Sequence, residues 1–189
     1  MAVCGDSDSV EVIERRRILV IDPKIPGSKQ PYHHAAGFPL TEAEKYVADC
    51  AAVSERLALQ AVEAVVREME RRQCGIVGCA VLLASGRPLP GLEKILGSHP
   101  LIHTAEGEFF RDAVRKACGG LAISVTAIPE REVEERAQTA FGKAASGVER
   151  RISSMGSSIG PPWTKDHKTA ALAALMVLEH NSGSGTRQD

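Results

Sequence analysis

Gly160-Pro161-Pro162-Trp163-Thr164-Lys165-Asp166-His167-Lys168-Thr169-Ala170-Ala171-Leu172-Ala173-Ala174-Leu175 is the stretch on which the reading of the fold turns. Gly-Pro-Pro breaks whatever precedes it. An alanine- and leucine-rich helix with few polar positions follows, the pattern of a helix buried on most faces. Thr164 is placed to cap it. Asp166 in its first turn faces the positive end of the helix dipole, worth about 0.3–1 kcal/mol without any function. The same turn also puts a carboxylate, an imidazole and two ammonium groups, Lys165 and Lys168, at the mouth of a buried helix. Metal and phosphate sites are built from such groups.

Working outward, Glu130 to Phe141 reads as a charged surface helix with Pro129 at its start, and Ser146–Met155 as a further helix. Leu121–Ile128 and Ile76–Leu83 are continuous apolar runs, as in strands buried on both faces. Ser85–Pro90 ends the latter with a turn. A short helical piece spans Leu92–Leu96. A helix capped by Thr104 runs to about Cys118, where Gly119-Gly120 stops it. Thr41-Glu42-Ala43-Glu44 is a capping box opening a long helix to about Arg72. Towards the N-terminus, Val10–Glu14 and Arg17–Asp22 read as strands, and Gln30–Ala35 as a third strand that Pro31 confines to an edge. The prediction is one α/β domain over residues 1–181: a β-meander, then alternating helices and strands on a mixed central sheet. Residues 182–189 read as a disordered polar tail.

Composition narrows the function. The 23 basic and 24 acidic side chains leave a net charge of −1, so there is no global field to capture nucleic acid. Arg15-Arg16-Arg17 and Arg150-Arg151 are local exceptions. Aromatics make up 4% of the chain, too few for a base-stacking surface. Five cysteines, an odd number without a Cys-x-x-Cys pair, read as reduced packing residues of a cytoplasmic protein. No run approaches the roughly 18 apolar residues of a membrane span, and the acidic N-terminus is not a signal peptide. The length of the Thr41–Arg72 helix leaves a face for a second subunit, so a homodimer is expected.

Two further clusters carry chemistry. His103-Thr104-Ala105-Glu106-Gly107-Glu108, with His99 nearby, offers an imidazole and carboxylates for a metal ion. Glu106 and Glu108 lie about 200° apart on a helix, so one ion cannot use both in a regular first turn. Simple compensation of the helix dipole is the plainer account of these acids. Pro26-Gly27-Ser28-Lys29-Gln30-Pro31-Tyr32-His33-His34 lacks the Walker pattern, yet it presents Lys29 and His33 to an anion. No Gly-x-Ser-x-Gly elbow or cysteine nucleophile signature is present.

Residues 166–175, with Asp166 near the start of an alanine- and leucine-rich last helix, resemble the final acidic motif of the ribonuclease H-like superfamily, closest to its RuvC-like (Holliday-junction resolvase) branch. The element order from 10 to 180 is similar to that fold. The resemblance implies a divalent-metal-dependent nuclease or phosphodiester-acting enzyme using Mg or Mn. Asp166 and Glu106 would be catalytic, Asp166, Glu106 and His103 metal ligands, and Lys165, Lys168 and His33 substrate contacts, with nucleic acid as partner. The family's Asp in the first strand is not matched by Glu11 or Glu14, Ala84-Ser85 stands where it has another acid, and Thr169 stands where it has a companion to Asp166. A degenerate, non-catalytic relative that binds nucleic acid or protein is therefore the alternative. A third reading sets the resemblance aside: an α/β enzyme for a small anionic substrate, with His33 or His34 converging on His103.

Overall fold

A computed structural model describes residues 1–84 and 88–184, with side chains up to 182. In chain order the elements are β1 (Ala2–Cys4), β2 (Glu11–Glu14), α1 (Pro31–Ala35), α2 (Leu40–Arg71), β3 (Cys79–Leu83), α3 (Leu92–Leu96), α4 (His99–Gly120), β4 (Val125–Pro129), α5 (Val133–Phe141), α6 (Ala145–Ser154), α7 (Gly156–Ile159) and α8 (Lys165–Ser184). The chain divides into two compact units, each assembled from separate stretches. The first takes Met1–Arg17, Val77–Leu83 and the chain from Ile123 on; the second takes Ile18–Ile76 and Ala84–Ala122.

In the first unit, β1 and β2 form an antiparallel hairpin. Its turn is held by Asp6, whose Oδ1 accepts from the amides of Asp8 and Ser9, each at 2.8 Å. Gly5 sits there at φ +99°, where a Cβ would run into the Ser9 carbonyl. β3 and β4 pair in parallel, Cys79 opposite Val125 through Leu83 opposite Pro129. Parallel neighbours need a long crossover, and here the chain between them makes α3 and α4 of the other unit. The core is α8 against α5, α6 and β4: Leu175, Ala171 and Ala173 are fully buried among Ile128, Val133, Phe141, Val148 and Ile152. Alternating small and large side chains along α8 let its neighbours approach closely, so the helix has no solvated stripe from Ala171 to Leu175 apart from half-buried Ala174.

Before α8, Arg15 reaches the carbonyls of Gly160 and Pro162 at 3.3 and 2.5 Å, so this arginine of the basic run is a structural clip. Trp163 donates its indole N–H to the Ile152 carbonyl at 2.8 Å and covers Gly156, where a Cβ would meet the indole at 2.9 Å. Thr164 opens α8 as expected, but through His167: the Thr164 amide donates to His167 Nδ1 at 3.2 Å, and the threonine hydroxyl lies 2.8 Å from the same nitrogen. Asp166 is exposed in this first turn. Asp166→Asn is expected to cost about 0.3–1 kcal/mol in urea unfolding, the dipole contribution alone; a loss several times larger would give the carboxylate a structural partner role.

The second unit is helical. α2 and α4 cross through Ala58, Ala113 and Ala117, whose small side chains bring the backbones together, with Val20 and Leu59 closing the seam. A second cluster, Ile95, Ile102 and Ala105 with Tyr32 and Leu89, ties α1, α3 and α4.

The α/β class read from the sequence holds, and so do the positions of most helices. Among the described residues the strands form two two-stranded sheets, not a single mixed central sheet. Arg17–Asp22 is not a strand: Leu19 is 57% exposed and Val20 packs on the α2–α4 seam. An apolar run reports burial, and side chains laid across helices satisfy it as well as a sheet does. Within the Gln30–Ala35 segment, Pro31–Ala35 is helix α1, because Pro31 occupies the first turn, where a missing N–H costs nothing. α2 starts at Leu40 and α4 at His99, ahead of the caps expected at Thr41 and Thr104; the Thr104 hydroxyl instead donates to the Pro100 carbonyl inside the helix at 3.0 Å. α8 continues through Ser184, into the segment read as tail. Residues 85–87 of the expected turn and 185–189 of the tail lie outside the described residues. No described helix is long and apolar enough to cross a membrane.

Candidate metal centre

In the second unit α1 lies against α4, and this packing brings His33 to His99 and His103. The latter two are four residues apart on α4 and so share one face of the helix. Their ring centroids are 4.4 Å apart, and His33 lies 5.5 Å from His99 and 4.8 Å from His103. One ring nitrogen from each of the three falls within 4.8 Å of the others, and no other group of three or more His, Cys, Asp or Glu side chains among the described residues is so placed. Nitrogens bound to a tetrahedral zinc ion at about 2.0–2.1 Å are roughly 3.4 Å apart. Closing the remaining ångström or so is a matter of χ rotation, which His99 and His103 are free to make at the surface.

Glu106 stands behind His33. It is 8% exposed, and its Oε1 accepts from the backbone amides of Tyr32 and His33 at 2.9 and 3.1 Å. His33 Nδ1 lies 3.3 Å from the same oxygen. An ionised carboxylate only accepts, so this contact puts the imidazole proton on Nδ1 and leaves the Nε2 lone pair for a ligand. Carboxylate–histidine pairs orient metal ligands in this way. The other oxygen, Oε2, is buried without a hydrogen bond. The negative charge is felt next door: burial first, then Glu106, pushes the Tyr32 phenol above its ordinary range.

Glu108 points elsewhere, to Arg111 and Arg115 at 3.6 and 3.9 Å, as the 200° separation from Glu106 requires. Gly107 lies between them inside α4, and a Cβ there would sit 2.7 Å from the Arg111 guanidinium. Its absent side chain makes room for the arginine that pairs with Glu108.

No family model, curated protein or solved structure matches this chain.

Of the residues singled out from the sequence, His103, Glu106 and His33 belong to one constellation, with His33 among the clustered imidazoles and Glu106 in contact with it. Asp166, Lys165 and Lys168 begin α8 in the first unit. His34 turns away from the three histidines to pack on Phe38 and Tyr46. His99 is the member of the cluster that the sequence reading gives least weight, although its spacing from His103 is the signal that identifies it.

Proposed function

We propose that this chain is a transition-metal-dependent hydrolytic enzyme whose ion is held by His33, His99 and His103. The convergence of three imidazoles, one of them backed by a buried carboxylate, carries the reading. Imidazole nitrogens suit zinc and its neighbours, whereas magnesium and manganese take oxygen ligands. Three neutral protein ligands with an accessible outer face match catalytic sites, which keep a position open for water or substrate. An ion bound there would act as a Lewis acid and lower the pKa of its water towards neutrality. The protein's own part is to present three lone pairs. Glu106 fixes the His33 tautomer, and α4 fixes the His99–His103 spacing.

Calorimetric titration tests this directly. Zn²⁺ is expected to bind at one site per chain and Mg²⁺ not to compete at millimolar concentration. Affinity should fall with acid, since each ligand must be a neutral imidazole to bind. Zinc uptake unaffected by alanine at both His99 and His103 would end the proposal.

The ribonuclease H-like nuclease reading rests on Asp166 in the first turn of the last helix. It assigns Mg or Mn to Asp166, Glu106 and His103 and the substrate to Lys165, Lys168 and His33. Mg²⁺-stimulated cleavage of nucleic acid, lost in Asp166→Asn and kept in His99→Ala, would establish it over the histidine centre.

A further inference from the structure

We infer that the turn preceding α1 is an oxyanion subsite of the histidine centre and that the substrate is a small phosphate monoester. The inference rests on the metal reading for its chemistry and on a different part of the molecule for its geometry. An open cleft of about 420 Å³ is lined by Pro23 and the chain from Ile25 to Gln30 together with His33 and His34. That is the size of a small-ligand pocket. His33 is common to the cleft and to the three-histidine cluster, so a ligand in the cleft lies beside the ion.

The lining has one sign. Lys29 supplies an ammonium, Gln30 and His34 carry N–H donors, and no acidic side chain is among the lining residues. The turn is preformed. The Tyr46 hydroxyl donates to the Pro26 carbonyl at 2.6 Å, and burial keeps that phenol protonated well above its usual range. The buried Ser28 hydroxyl donates to the Asp22 carbonyl at 2.7 Å, and the Gln30 amide to the Gly27 carbonyl at 2.8 Å. Gly27 is at φ +77°, and a Cβ there would sit 2.2 Å from the His34 ring. The backbone and that imidazole therefore form one wall, which only glycine permits.

Charge selects the ligand. Three neutral imidazoles leave an ion its full two positive charges, Lys29 adds a third, and the Glu106 carboxylate behind His33 offsets one. A phosphate dianion matches this better than a carboxylate monoanion. In the reaction, the oxygen of water joins phosphorus and the ester P–O bond breaks. The alcohol leaves with the proton that water gives up, and inorganic phosphate remains.

The test is calorimetric titration of the full chain with inorganic phosphate, with and without bound Co²⁺, whose visible absorption reads the coordination independently. Phosphate should bind the Co²⁺-loaded chain and alter its spectrum, acetate should bind at least about tenfold more weakly, and Lys29→Ala should weaken phosphate about tenfold or more with Co²⁺ affinity unchanged. Co²⁺ binding without phosphate binding, or Lys29→Ala binding phosphate like the unmodified chain, would overturn the subsite and leave the metal centre standing. Acetate binding as tightly as phosphate would replace the phosphate ester with a carboxylate. Failure to bind Co²⁺ would remove the metal centre. Phosphate binding to the metal-free chain that is lost in Lys29→Ala would then uphold the anion cleft alone, and its absence would remove that too.

Discussion

Replacing His103 with alanine is expected to weaken Zn²⁺ binding by about 100-fold or more while leaving the fold intact. Disturbing only the outer support of a metal ligand typically costs 10- to 100-fold, and this substitution deletes a ligand. His103 is exposed, and its ring meets His33 and His99 more than it meets the core, so stability should change by less than about 0.5 kcal/mol. His99→Ala should behave alike, since the two rings share a helix face. His34→Ala is the control: it neighbours His33 in sequence but packs on Phe38 and Tyr46, and zinc affinity should survive its loss. Titration calorimetry with matched urea unfolding reads both quantities. Equal zinc affinity in His103→Ala and the unmodified chain would remove the histidine centre.

Leu175→Ala is expected to destabilise the first unit by about 2–5 kcal/mol. Leu175 is fully buried at the centre of α8, with Ala171 and Ala173 on the same helix already as small as a side chain can be. The neighbouring backbone is too closely packed to collapse into the space left by the isobutyl group. Against a total stability of about 5–15 kcal/mol, the loss is large enough to shift the urea midpoint severalfold beyond experimental error. Circular dichroism during urea unfolding measures it. A change under about 1 kcal/mol would mean that α8 does not organise this core.

What could be read in advance follows the range of the interactions. α8 is legible because Ala171 to Val177 encode burial locally, and β3 and β4 because their apolar runs are bounded by turns. α1 is not, since Pro31 disfavours a strand and favours a helix start with equal justice. What decides is Glu106, 74 residues away, accepting the amide of Tyr32. The same distance hides the site. His103 and Glu106 stand out in their own segment, and Lys29 and His33 in theirs, but no local pattern says that α1 packs on α4. The His99–His103 spacing is legible once α4 starts at His99; taking Thr104 as the cap leaves both on a loop and conceals it. Asp166 has a motif-like setting in the first turn of α8, in the first unit, and Glu106 belongs to the second.

The position of Trp163 under its hydrogen bond to Ile152 has a practical consequence. It is the only tryptophan, and it belongs to the first unit, while both tyrosines, Tyr32 and Tyr46, belong to the second. Intrinsic fluorescence is therefore colour-coded by unit. Excitation at the red edge of the absorption band, where tyrosine is dark, reports the environment of α8 alone. Ultraviolet absorbance of the two phenols, one against the Glu106 carboxylate and one on the cleft turn, reports the histidine side. Loading with metal should register in the second signal and leave the first silent, a distinction made without any label.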